Sequence, residues 1–413
     1  MKSQSFRFLW IGQSLANLGD IFYIVGLISM LYGITESPFM LALVPFINMM
    51  GRFSGGMIAP VLLNRYSLKT LLVYSQVCKT ILLGLLSLLL IIQLTPNILV
   101  LLSFIFMIAF LDGWASPASH AMLPRLVPNN ELVKANSFFS IVYETVNLGG
   151  WALGGLLVAL SGGQHVILLT LGLYVIASMM MTGIADPTQF QPNDSTGRRS
   201  GELQEGWLII WRNPFYRSLH VIIVFEAVAN VVWIASILYV FVTEVLGETE
   251  AWWGYINTSF FIGMVIGGVL CTRFISLFEK NMKHVLIIFS IGISVITLLF
   301  GLATISWLAL AFSGINGVFQ QLKGIASDTF LQKVATSEEL PKMYAAQGAL
   351  GSLLFAVSSL TFGALAEVWD VRFTFLLSAT LLGVAAIYTV IRHQRFCIKE
   401  QCLLLIKNVA NKD

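Results

Sequence analysis

Long apolar stretches recur along the whole of this 413-residue chain and constrain its fold more than any other feature. Each is about 20 residues or longer, enough to cross roughly 30 Å of hydrocarbon as a helix. Charged residues make up 11% of the chain, against about 25% in soluble proteins. Because the alternating ten-residue segments of a membrane β-barrel are missing, the stretches predict an integral membrane protein built from helices.

We predict twelve membrane-spanning helices joined by mostly short connections, so all chemistry is expected to lie among the helices. They cover residues 8–31, 40–63, 70–92, 98–118, 136–160, 165–185, 218–242, 252–273, 285–302, 305–331, 344–366 and 373–391.

The distribution of the 24 Lys and Arg residues predicts the orientation. If the N-terminus is cytoplasmic, Arg372 is the one basic residue in an outer loop, and Arg52, Lys79 and Lys323 lie within spans. All the others fall on the inner side, so the positive-inside rule predicts that both termini are cytoplasmic. The formal charge of +3 therefore reflects the basic residues that set the orientation in the membrane, and it does not indicate nucleic-acid binding. We expect a multi-pass protein of a bacterial plasma membrane, with no disulfides among its four cysteines.

The longest break between apolar stretches divides the chain. Residues 186–217 contain three prolines and the pair Arg198 and Arg199, and they predict a cytoplasmic linker. The linker separates six spans in residues 1–185 from six spans in residues 218–392, and residues 393–413 form a cytoplasmic tail. The segment from Trp207 to Trp211 is either an interfacial helix or part of a tethered loop.

The two halves carry matching signals. Gly51, Gly55 and Gly56 in span two recur at the same spacing in span eight, as Gly263, Gly267 and Gly268. A second match precedes spans five and eleven and pairs Leu123, Arg125, Glu131, Leu132 and Lys134 with Leu331, Lys333, Glu339, Leu340 and Lys342. One Gly-x-x-x-Gly indicates only close helix packing. Two matched signals favour a duplicated six-helix unit, an architecture typical of transporters.

Twelve spans, a central linker and two repeats resemble the major facilitator superfamily. Within it, two sets of residues resemble the macrolide-efflux-like drug:proton antiporters: Leu9, Trp10, Gly12, Gln13, Gly19 and Asp20, and then Leu123, Pro124, Asn136 and Ser137. The resemblance implies an all-α membrane fold with two pseudo-symmetric six-helix halves.

Two signatures of that family are altered in this chain. In the loop after span two only Arg65 and Lys69 match, and Asn64 replaces an acidic residue that the family is thought to use in closing the cytoplasmic side. The resemblance assigns Arg65 and Lys69 to gating. In span five the glycines of the antiporter signature remain, including Gly150 and Gly154, but the proline that would kink the helix is missing.

The resemblance also implies that spans one, four, seven and ten line a central cavity, and each carries one deep ionisable residue. Helical spacing supports four polar faces on its own. These faces comprise Gln13, Asn17 and Asp20; Asp112, Ser116 and Ser119; Glu226, Asn230 and Trp233; and Asn316, Gln320, Lys323 and Ser327.

Each deep charge has a functional and a structural interpretation. Burial near mid-span disfavours ionised Asp20, which suits proton or cation coupling, and the alternative is permanent pairing with Arg52 or Lys323. Asp112 and Glu226 either receive a cationic substrate or share the proton, or else form fixed salt bridges.

The remaining charges and the aromatic residues also leave alternatives. Lys323 is either a counter-ion that is displaced during transport or a site for an anionic group. Arg52, Lys79 and Glu144 are expected to pair structurally, with modulation of coupling as the alternative. Tyr23, Trp114 and Trp233 either pack or offer aromatic faces to lipophilic cations.

No nucleotide-binding loop, nucleophile motif or metal-ligand cluster occurs in the sequence, so we predict neither an ATP-driven pump nor an enzyme, and no cofactor or metal. The leading hypothesis is a monomeric, proton-coupled exporter of amphipathic small molecules or drugs. The alternatives are a proton-coupled uptake symporter and a transporter-like sensor or lipid-handling protein.

Overall fold

A computed structural model describes residues 3–35, 38–92, 97–187, 204–233 and 235–393. Half of the predicted linker, residues 188–203, and the tail from residue 394, with Cys397 and Cys402, lie outside these residues. All regular secondary structure in the described part of the chain is helical, which confirms the predicted all-α membrane fold.

The helices up to the linker are α1 (Gln4–Thr35), α2 (Pro38–Arg65), α3 (Leu68–Ile91), α4 (Ile98–Leu126), α5 (Leu132–Ser161) and α6 (Gly163–Thr182). Local chemistry sets two of their starts. The Ser67 side chain accepts a hydrogen bond from the Thr70 amide before α3, and Asn97 does the same for Leu99 before α4.

A short helix, α7 (Glu205–Arg212), lies in the predicted linker, where the sequence left open a helix or a loop. The later helices are α8 (Pro214–Ala229), α9 (Ala235–Val240), α10 (Glu250–Arg273), α11 (Ile275–Lys280), α12 (Met282–Leu302), α13 (Ser306–Val334), α14 (Glu339–Val368) and α15 (Val371–Ile391).

Eleven helices within the described residues are long and apolar enough to cross a membrane. The remaining predicted span, residues 305–331, corresponds to α13, which has 29 residues and is therefore long enough. It is more polar than the others because Asn316, Gln320, Gln321 and Lys323 occupy its middle.

The helices cluster into two compact units. Unit 1 comprises the described residues of Met1–Glu131, Val142–Leu208 and Ser337–Ala356, and unit 2 those of Leu132–Ile141, Ile209–Thr336 and Val357–Asp413. The beginning of α5 therefore belongs to unit 2, and the beginning of α14 belongs to unit 1.

The same order of helix pairing occurs within each unit. In unit 1, α1 packs on α6, α2 on α4, and α3 on both α4 and α6. In unit 2, α8 packs on α15, α10 on α13, and α12 on both α13 and α15. When spans are counted from the start of each half, the strongest pairings are the same, as a duplicated six-helix unit requires.

The repeated glycines are the closest points of this packing. A Cβ added to Gly55 on α2 would lie 2.0 Å from the Phe110 carbonyl oxygen of α4. A Cβ added to Gly263 on α10 would lie 2.0 Å from the Gly314 carbonyl oxygen of α13. Each glycine therefore lets two backbones meet where any side chain would separate them.

Replacing Gly55 with Ala is expected to destabilise the protein by about 1–3 kcal/mol, because the new methyl group forces α2 away from α4. Thermal unfolding in detergent measures the change. Gly149→Ala on α5 is the matched control, since nothing lies within 4 Å of its added Cβ. Equal unfolding temperatures for the two variants would contradict the packing argument.

Candidate functional site

The ammonium group of Lys79 on α3 lies between two carboxylates of unit 1. Its Nζ atom is 2.7 Å from Oδ1 of Asp20 on α1 and 2.8 Å from Oδ1 of Asp112 on α4. The Lys79 side chain is 2% exposed, and the two carboxylates are 14% and 12% exposed. Three helices are therefore joined by one buried cation, and the partner of Asp20 is Lys79, not Arg52 or Lys323.

Hydrogen bonds extend this contact in both directions. Arg52 of α2 donates to Oδ2 of Asp112 at 3.1 Å and to Oδ1 of Asn48 at 3.2 Å. Asn48 in turn donates to the Tyr23 hydroxyl oxygen at 3.2 Å. At the other end the Tyr174 hydroxyl of α6 donates to Asp20. We call Asp20, Arg52, Lys79, Asp112 and Tyr174 the buried charge network.

The four ionisable side chains of this network other than Tyr174 carry two positive and two negative charges when all are ionised, so the network is electrically balanced. A proton taken up by Asp20 would leave Lys79 with Asp112 as its remaining anionic partner. That change weakens the tie between α1 and α3, because an ion pair is replaced by a hydrogen bond from the ammonium group to an uncharged carboxyl group. Arg52, with 35% of its side chain exposed, is the most accessible member of the network.

Unit 2 has a ladder of polar pairs between α8 and α13. Glu226 pairs with Lys323, and Gln320 donates to Oδ1 of Asn230 at 3.0 Å. These two pairs run in antiparallel order along α8 and α13. The stripes predicted from helical spacing on spans seven and ten therefore meet each other at two successive levels.

Two other residues of these stripes, Asn316 and Trp233, have unpaired polar atoms in the described part of the chain. Asn316 is fully buried, and neither of its side-chain polar atoms has a hydrogen-bond partner among the described residues. The indole nitrogen of Trp233 also lacks one in that part of the chain. Leaving such a group unpaired costs about 1–3 kcal/mol. Asn316 and Trp233 therefore have hydrogen-bonding capacity that the described residues do not use.

Trp233 lies where span seven loses regular α-helical geometry. A 3-10 turn over Asn230–Trp233 follows α8, and a π-helical turn over Phe241–Val245 follows α9. The Trp233 ring packs against Phe260, Phe300 and Phe375 at centroid distances of 6.2, 4.6 and 5.8 Å. Irregular turns inside spanning helices are frequent at functional sites, and the functional site at Trp233 stays a prediction.

The other predicted site residues lie outside these two clusters. Gln13 donates to Asn17 at 3.1 Å on α1, and Trp114 packs edge-on against Phe110 at 5.1 Å. Ser116 is half-buried, Arg65 is exposed and Lys69 is half-buried.

Span five contributes packing residues and a buried carboxyl group. An added Cβ would be within 3.4 Å of α1 side chains at both Gly150 and Gly154. Glu144 is buried and hydrogen-bonds Asn147 on its own helix, and the ion pairs of the described residues do not include it. It therefore has a local partner in place of the expected structural ion pair.

Sequence reasoning missed Tyr174, Asn48 and Glu205. Tyr174 and Asn48 carry no charge, so the search for deep ionisable groups passed over them, although Asn48 precedes Arg52 by one helical turn. Glu205 begins α7 and accepts a hydrogen bond from Asn64 at 2.9 Å. The acidic group missing from position 64 therefore has a counterpart supplied by the linker.

The chain is similar to known membrane transporters in sequence and in fold. The sequence profile of the Major Facilitator Superfamily matches residues 9–281. The uncharacterised MFS-type transporters YfmI and YjbB of Bacillus subtilis are 28% and 27% identical to the chain. These alignments cover 94% and 90% of this chain and 96% and 91% of the relatives. The Escherichia coli fucose:proton symporter FucP superposes with a TM-score of 0.71 at 15% identity, covering 92% of this chain and 98% of that chain.

Proposed function

Because the chain belongs to the Major Facilitator Superfamily, and is thus a multi-pass membrane transporter and not an enzyme, we propose that it exports amphipathic small molecules in exchange for protons. The proposal places it in a bacterial plasma membrane, as a monomer with both termini in the cytoplasm. Export distinguishes it from proton symport, which is the activity named for FucP.

The observation that carries proton coupling is the position of Lys79 between Asp20 and Asp112, at 2.7 and 2.8 Å. An ionisable residue within a membrane span is costly unless it is paired or has a function. In this network a proton and Lys79 compete for the same carboxylate. Protonation therefore changes how α1, α3 and α4 are held together, as coupling requires.

The proposed substrate class is inferred from the chemistry of two groups of side chains, one in each unit. The buried charge network offers two carboxylates, at which a proton or a cationic group could compete with Lys79. Unit 2 offers unpaired hydrogen-bonding atoms at Asn316 and at the indole nitrogen of Trp233, whose ring belongs to an aromatic cluster. A partly apolar compound with a cationic or hydrogen-bonding group matches this chemistry.

The direction of coupling can be tested on purified protein. A thermal-shift screen of antibiotics, dyes, siderophores and peptides identifies a ligand, because a ligand that binds the native state stabilises it. That ligand is then added to the protein in weakly buffered detergent solution containing a pH indicator. Proton release is expected for an exporter, since substrate displaces the proton.

The other outcomes separate the alternatives. Proton uptake would replace export by symport, because proton and substrate would then bind together. Binding without any pH change would contradict proton coupling. A ligand that binds but shows no flux in proteoliposomes would favour the sensor, and stabilisation by lipids alone would favour lipid handling.

A further inference from the structure

We propose that Glu205 of the linker is a positioning residue that ties the end of α2 to the beginning of α14 and thereby sets the rate of the conformational change in transport. This inference rests on the proposed function, because it concerns the transport cycle. It assigns a mechanical role to a segment that connects the two halves of the sequence.

Both carboxylate oxygens of Glu205 are used. Oε1 lies 2.5 Å from Nζ of Lys342 on α14, and Oε2 accepts a hydrogen bond from Nδ2 of Asn64 on α2 at 2.9 Å. Asn64 is 5% exposed and Lys342 is 8% exposed, so both partners are buried around the carboxylate. We call Asn64, Glu205 and Lys342 the linker clasp.

The backbone beside Glu205 is fitted closely to α14. A Cβ added to Gly206 would lie 2.4 Å from the Lys342 carbonyl oxygen and 3.2 Å from Cβ of Ala346. Glycine is therefore required for α7 to come this near. One further step along α14, Ala349 lies against Gly56 of α2, with 3.2 Å between its Cβ and a Cβ built on the glycine. The clasp thus sits at the end of a seam in which α2 and α14 already touch.

A second set of contacts, made by Arg125, joins the first residue of the linker to the residues just before α14. Arg125, at the end of α4, pairs with Asp186 at 3.1 Å and donates to the Ser337 carbonyl oxygen at 3.0 Å. Asp186 precedes the part of the linker outside the described residues, and Ser337 precedes α14. Acidic residues near both ends of the linker therefore bind basic residues around the beginning of α14.

Position 64 and position 205 are chemically matched. An amide at position 64 donates to the Glu205 carboxylate, whereas a carboxylate there could not. The family resemblance implies an acidic residue at position 64, and this chain has Asn together with an acid from the linker. A single carboxylate is enough for the linker clasp. Glu205 provides it, and Asn64 provides the donor.

The clasp matters for transport because of where its members lie in the sequence. Asn64 belongs to the first six-span half and Lys342 to the second. Alternating access requires the two halves to move against each other. A bond between Asn64, the linker and Lys342 must therefore break and form again in each cycle, and its strength contributes to the barrier.

The test is Asn64→Asp in the full-length protein, followed by hydrogen exchange of the amides in residues 205–212 and 339–346. The new carboxylate would face Glu205 at hydrogen-bond distance, and two such groups repel unless one takes up a proton. We expect the exchange rates to rise about tenfold, the change that the loss of one charge-assisted hydrogen bond produces. Asn129→Asp, at an exposed position in the α4–α5 connection, is the matched control and should leave them unchanged.

The double variant Asn64→Asp with Glu205→Gln supplies the rescue. The amide at position 205 can donate to the new carboxylate while its oxygen accepts from Lys342, so both hydrogen bonds return and the one between positions 64 and 205 has the opposite direction. Exchange rates should return to within about twofold of the original protein, a difference of less than one hydrogen bond. A single variant that exchanges like the original protein, or a double variant no better protected than the single, would overturn the clasp.

Transport is measured separately, with ethidium as the probe in proteoliposomes. The single variant should change the maximal rate more than the half-saturating concentration, and the double variant should restore the rate, since no clasp residue is among the proposed substrate residues. Altered hydrogen exchange with an unchanged rate would limit the clasp to stability and overturn its role in the cycle. Failure of the original protein to move ethidium counts against the proposed substrate class and leaves the exchange result to decide the clasp.

Discussion

Asp20→Asn is expected to abolish transport driven by a pH gradient while leaving ligand binding intact. The amide keeps the size of the side chain and can still accept the hydrogen bond from Tyr174, but it cannot take up a proton. Lys79 then keeps Asp112 as its carboxylate partner in every state. Proteoliposomes with an imposed pH gradient, loaded with the ligand identified by thermal shift, measure the effect.

Glu144→Gln is the matched control for this prediction. Glu144 is also a buried carboxyl group in a span, but it hydrogen-bonds Asn147 on its own helix and is not part of the buried charge network. Its replacement should leave pH-driven transport in place. If Asp20→Asn transports with unchanged pH dependence, Asp20 is not the coupling residue, and Asp112 becomes the next candidate.

Lys79→Met is expected to destabilise the protein by about 3–5 kcal/mol, the usual cost of breaking a buried ion pair from one side. Removing the ammonium leaves Asp20 and Asp112 facing each other, with Arg52 as the remaining cation of the network. The methionine fills a similar volume, so the loss is electrostatic and not a cavity effect. Thermal unfolding in detergent at neutral pH measures it.

The double variant Asp20→Asn with Lys79→Met separates charge balance from coupling. It leaves Asp112 paired with Arg52, so the network is electrically balanced again, and most of the lost stability should return. Transport driven by a pH gradient should not return, because the group that takes up the proton is still missing. A double variant as unstable as Lys79→Met alone would contradict the balanced-charge interpretation.

Sequence periodicity was sufficient for the membrane fold and for the polar stripes, because span length and helical spacing are local properties. Glu226 and Lys323, predicted on two such stripes, do meet. The partners of Asp20 could not be derived in this way. Lys79 lies on a span that the resemblance treats as supporting, and its side-chain direction depends on how α3 packs between α4 and α6.

The contacts of the linker could not be derived from the sequence either. The family resemblance indicated that Asn64 stands in place of an acidic residue, but the sequence could not identify Glu205, 141 positions later, as its hydrogen-bond partner. A hydrogen bond at that separation depends on tertiary structure, and a lone Glu in a polar linker has no periodic signal. The role of Gly206 could not be predicted either. Glycine is common in linkers, and only the structure shows that this one lies against α14.

The placement of Lys79 also bears on which ion can drive the protein. The ammonium occupies the point between Asp20 and Asp112 at which a sodium ion would bind, and because it is tethered its effective concentration there is high. A sodium ion would have to displace it and find several further oxygen ligands. A proton needs only one carboxylate oxygen and no further ligands, so the proposed coupling at this network favours a proton over a sodium ion.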